Sequence, residues 1–115
     1  MTYTTEREPK VHVVSIEVDG KGFVYTTLEN PDASTIVVYQ GDHVKWHCRH
    51  GNYSILFKEH SPFGDIGAHG RRGAETPPLR VIGEPGRYKY AVNVALANGL
   101  IVDDPIVIVD DGGGD

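Results

Sequence analysis

The sequence predicts an all-β fold: a single domain built as an antiparallel Greek-key β-sandwich of about eight strands. Three observations predict it. Apolar and polar side chains alternate with a period of two in several segments, the mark of half-buried strands. Clusters of Gly, Pro, Asn and Asp interrupt those segments at short intervals, as in all-β domains. No stretch carries the repeat of an amphipathic helix.

The first strand is expected at about Val11–Val18, with Val14, Ile16 and Val18 on one face. Asp19-Gly20-Lys21-Gly22 is a hairpin signal, and Phe23–Leu28 follows as the second strand. After the Asn30-Pro31-Asp32 loop, the β-branched and aromatic run Thr35–Tyr39 favours a strand. Gly41-Asp42 turns the chain into His43–Arg49, where Val44, Trp46 and Cys48 alternate with His43, Lys45 and His47. Tyr53–Lys58 places Tyr53, Ile55 and Phe57 together. Glu59–Pro78 has four glycines and no periodicity, so it is expected to be an irregular loop of twenty residues. Leu79–Ile82 is a short strand ended by Gly83-Glu84-Pro85-Gly86. Arg87–Val94 sets Tyr88, Tyr90, Val92 and Val94 against Arg87, Lys89 and Asn93. Ala95–Asp104 is expected as a connection, and Pro105–Val109 as the last strand, with proline at its permitted first position. The sandwich thus occupies residues 10–109, between a polar tail at 1–9 and an acidic, Gly-rich tail at 110–115.

A chain of 115 residues, 39% hydrophobic and 23% charged, suffices for one core. No apolar run approaches the roughly 20 residues that span a bilayer, so no membrane partner is expected. Met1 to Lys10 is polar and lacks the apolar segment of a signal peptide, which points to the cytoplasm. The lone Cys48 cannot form an intramolecular disulfide and fits a reducing compartment. A net charge of −5 disfavours nucleic acid. The charge is uneven: residues 45–89 hold eight basic and four acidic side chains, while residues 90–115 hold five acidic and no basic ones.

The order and spacing of Gly41-Asp42 before a strand bearing Val44 and Trp46, and of Gly86-x-Tyr88-x-Tyr90 before the last strand, resemble the cupredoxin family. That resemblance covers roughly Thr35 to Val109 and implies the family's sandwich. In that family the aromatic run leads to a copper-ligating cysteine two residues on, then a histidine and usually a methionine. Here Val92 stands at the cysteine position, Tyr53 at the upstream histidine position, and Ala95–Leu100 offers neither imidazole nor sulfur. The resemblance therefore implies a scaffold without a type 1 copper centre, which needs a thiolate and two imidazoles. No cofactor is expected. Copper-free members such as the ephrin-type ectodomains imply use of the scaffold for protein recognition.

Five of the six histidines fall between His43 and His69. On a strand His43 and His47 stand about 13 Å apart, too far to share one zinc. His50, His60 and His69, all in or beside loops, are the alternative: a non-blue copper, zinc or nickel site at one end of the sandwich. Cys48 alternates into the core with Trp46, where a thiol is a small inert hydrophobe. No phosphate-cradling Gly-rich loop precedes a helix, and no serine sits in a nucleophile elbow. An enzyme is not expected.

The long loop remains. Twenty irregular residues on a rigid scaffold are often a binding element. Phe63, His69, Arg71 and Arg72 in that loop, with His50 and Tyr53 in the neighbouring turn, are the expected recognition residues. Arg71 and Arg72 offer forked donors for carboxylate or phosphate. The expected function is a non-enzymatic interaction module for an unidentified protein or anionic ligand.

Overall fold

The computed structural model describes residues 8–19 and 22–110. It is a sandwich of two β-sheets, as expected, with ten strands among the described residues: β1 (Val11–Asp19), β2 (Gly22–Thr26), β3 (Thr35–Tyr39), β4 (His43–Cys48), β5 (Tyr53–Phe57), β6 (Gly67–Gly70), β7 (Leu79–Arg80), β8 (Gly86–Leu96), β9 (Gly99–Asp103) and β10 (Ile106–Asp110). One sheet runs β2-β1-β4-β7, and the other runs β3-β10-β8-β5-β6 with β9 also on β8. Each sheet contains one parallel pair, β1 with β4 and β3 with β10, among otherwise antiparallel neighbours.

The two inner faces are the ones the alternation marks. Val14, Ile16, Val44, Trp46 and Cys48 from the first sheet are fully buried. Against them pack Tyr53, Ile55, Phe57, Tyr88, Tyr90, Val92, Val94, Val107 and Val109 from the second. Trp46 and Tyr90 meet across the sandwich with ring centroids 5.6 Å apart, and the indole Nε1–H donates to the Tyr90 hydroxyl at 3.3 Å.

Two expectations are corrected. Ala95–Asp104 is not an irregular connection: β8 continues to Leu96, and β9 returns along it with Val92 opposite Asp103 and Leu96 opposite Gly99. Leu100, Ile101 and Val102 are apolar on both faces, which erases the alternation that would have revealed a strand. Glu59–Pro78 is not irregular throughout either, since β6 pairs with β5 from Tyr53–Gly70 to Leu56–Gly67. Two glycines, an alanine and a histidine have no strand propensity of their own; the open edge of β5 supplies the partner. At Gly70 a Cβ would collide with the Tyr53 ring, so the close approach requires glycine.

The β1–β2 hairpin closes on the Asp19–Gly22 pair, and its turn residues 20–21 lie outside the described residues. So do residues 1–7 and 111–115, which make up most of the two expected tails; Asp110 belongs to β10. Among the described residues no helix is long and apolar enough to cross a membrane.

Candidate functional site

At one end of the sandwich two turns lie against each other. The first, Arg49–Asn52, joins β4 to β5; the second, Arg71–Gly73, follows β6. Arg72 stitches them together. Its backbone N–H donates to Asn52 Oδ1 at 2.8 Å, and its Nε–H donates to the Arg49 carbonyl at 3.2 Å. Gly73, at φ 79° in the left-handed region, donates its N–H to the Cys48 carbonyl at 2.7 Å. Beneath them the Tyr53 hydroxyl lies 2.7 Å from the Trp46 carbonyl and 2.6 Å from the Ala74 carbonyl.

The charges here do not balance. Arg49 donates twice to Glu17 Oε1, at 3.1 and 3.0 Å, and His50 Nε2 lies 3.2 Å from the same oxygen. Burial raises the Glu17 carboxyl pKa, but the hydrogen bonds and charges of Arg49 and His50 outweigh it and hold the group below its ordinary value. Glu75, the other nearby carboxylate, is taken by Lys45 at 2.8 Å. Arg71 has no carboxylate partner among the described residues. It lines an open cleft of about 420 Å³ with Asn52, His69, Gly70, Ala74 and Glu75, Tyr53 forming the floor. A free guanidinium fork at such a cleft suits a carboxylate or phosphate.

Of the residues singled out in the sequence, His50 lies in the first turn and Arg71 and Arg72 in the second, with His69 exposed beside them on β6, opposite Ser54. Tyr53 contributes only the floor of this surface, and Phe63 does not belong to it. Tyr53 is 3% exposed and braces the turns from below. Phe63 is 5% exposed and plugs the far end of the core, edge-on to Trp46 at 6.0 Å and to Phe57 at 5.5 Å. The three loop histidines do not converge. His50 precedes β5 and His60 follows it, so the strand alone separates them by about 13 Å. His60 instead packs edge-on to Tyr88 at 5.2 Å. Among the described residues no group of three or more His, Cys, Asp or Glu side chains is placed to hold one metal ion.

Three contributors escaped the sequence reading: Arg49, Asn52 and Glu17. The first two flank His50 in the same turn, and their polarity was a usable signal. Glu17 had none, because only the parallel pairing of β1 with β4, Ile16 opposite Cys48, brings it near Arg49.

The buried phenols set an alkaline limit. Burial pushes Tyr53 from 10.0 up to about 12, and burial raises Tyr25 and Tyr90 as well, Tyr25 further through its hydrogen bond to Asp103. The unfolded chain ionises these groups first, so their contribution to stability is complete below pH 10.0; the Tyr53 share is lost as pH rises through about 12, and those of Tyr25 and Tyr90 at still higher pH. Tyrosinate absorbance and circular dichroism recorded against pH should change together for these three residues. Their ionisation near the ordinary phenol value with native dichroism would contradict the burial.

No family model matches the chain, and no curated protein matches it. Among solved structures, an amicyanin variant in its reduced Cu(I) form at pH 4 is similar at a TM-score of 0.48 and 16% identity, over 92% of this chain and 87% of that chain.

Proposed function

We propose that this β-sandwich is a non-enzymatic binding module whose recognition surface is the paired turns Arg49–Asn52 and Arg71–Gly73, and whose partner is a protein presenting acidic side chains. One observation carries the reading. Arg72 is committed to holding the two turns together, while Arg71 stands beside it at an open cleft without a carboxylate partner among the described residues. Arg49 is paired with Glu17, while Arg71 and Arg72 have no carboxylate partner among the described residues, which leaves the end of the sandwich cationic within an acidic protein. Such a surface steers and orients an acidic partner, with affinity that falls as salt rises.

Binding to an immobilised glutamate-rich peptide tests it. Arg71→Ala should weaken binding by about tenfold, the loss of one charge-assisted contact, with an unchanged melting temperature. Arg72→Ala should weaken binding and lower the melting temperature too, because it unties the turns. Equal peptide affinity in wild type and Arg71→Ala would remove this surface from consideration.

A further inference from the structure

A second cationic surface lies at the other end of β5, away from the Arg71 turn. Arg87 and Lys89 alternate with Tyr88 on β8, so both stand on the outer face while Tyr88 turns inward at 6% exposed. Lys58 is the next residue after β5, and its N–H donates to the Lys89 carbonyl at 3.2 Å. It therefore follows the Phe57–Tyr90 pair in register and sits across from Lys89. Like charges opposed on neighbouring strands destabilise a sheet.

Little offsets that repulsion. Lys58 reaches Asp104 at 3.4 Å, but both side chains are about half exposed, and such pairs are weak. Arg87 and Lys89 have no carboxylate partner among the described residues. The three cations, with Glu59, His60 and Tyr88, line a cavity of about 580 Å³. The edge-on contact to Tyr88, at 83° between ring planes, holds the His60 imidazole at its rim. Three cations face one lining carboxylate, in a cavity within the size range of small-ligand sites.

We propose that this cavity binds a doubly charged oxyanion of the phosphate type, free or as the phosphoryl group of a small ester. Arg87 and Lys89 supply the principal donors, Lys58 a third and His60 a fourth. The anion relieves the Lys58–Lys89 opposition, so binding and stability are coupled. The site is separate from the Arg71 turn, and either can fail without the other.

Melting temperature and the Lys89 amide resonance, followed during titration with inorganic phosphate or glycerol phosphate at constant ionic strength in chloride, test the proposal. Wild type should saturate and gain stability; the tighter of the two ligands identifies the free ion or the ester as the natural form. Lys89→Met should weaken binding about tenfold, while melting at or above the wild-type temperature without phosphate. Lys89→Arg should retain binding. Wild-type phosphate affinity in Lys89→Met, or loss of binding in Arg71→Ala instead, overturns the proposal.

Discussion

Replacing Trp46 with alanine is expected to remove about 3–5 kcal/mol of stability, a large part of the total for a domain of this size. The side chain is 0% exposed and is the largest fully buried one in the molecule. It ties three elements together: β4 carries it, Tyr90 of β8 meets it across the sandwich, and Phe63 closes over it from the connection after β5. Truncation leaves a cavity that two sheets and a loop cannot collapse at once, and it strips the Tyr90 hydroxyl of the indole donor. Urea denaturation followed by circular dichroism measures the loss. Trp46→Phe keeps most of the bulk and should cost much less. A wild-type midpoint in Trp46→Ala would mean that the inner face of β4 is assigned backwards.

Asp42→Ala should cost a comparable amount, about 3–5 kcal/mol, through polar groups rather than volume. The Asp42 side chain is 0% exposed and accepts from the backbone N–H of Lys10 at 3.0 Å, the backbone N–H of Tyr39 at 3.1 Å and His12 Nε2 at 2.8 Å. Its main chain is engaged as well, with Val81 N–H donating to its carbonyl at 2.8 Å. One carboxylate thus joins the approach to β1, the end of β3 and the start of β4. Alanine leaves the three donors that converge on a carboxylate position 0% exposed, and a donor left without a partner there costs about 1–3 kcal/mol. Asp42→Asn, which can still accept hydrogen bonds, should fall between alanine and wild type. A double-mutant cycle with His12→Ala should be non-additive, since the two side chains share one contact. Additive losses would show that His12 and Asp42 act independently.

Both residues differ in how far they could be read beforehand. The place of Trp46 was legible, because Val44, Trp46 and Cys48 alternate with polar neighbours and only one face of a strand can be apolar there. Asp42 was legible only as a turn residue after Gly41. That it is a buried clamp depends on Lys10 and His12, which are 32 and 30 residues away in the chain. The candidate site divides similarly. Arg71 and Arg72 were visible as a basic pair between glycines, but their different duties follow from the Asn52 and Arg49 contacts of Arg72 alone. Phe63 had no neighbours in sequence to say whether it faced water or core, and the gap between Trp46 and Phe57 decided it.

What the chain determined by itself is the set of local patterns: period-two alternation in β1, β4 and β8, the β-branched run of β3, and the turns between them. These settle which face of each strand is buried, because adjacent side chains point to opposite sides whatever the strand pairs with. What only the tertiary structure decided is the pairing. The parallel contact of β1 with β4 puts Glu17 beside Arg49 and His50, and the antiparallel contact of β5 with β8 sets Lys58 against Lys89. Strands as weak in propensity as β6, or as lacking in alternation as β9 with its Leu100-Ile101-Val102 centre, exist because an open neighbouring edge offers backbone partners. Alternation is a property of a few consecutive residues, whereas register is a choice among distant segments made by burying both sheets at once.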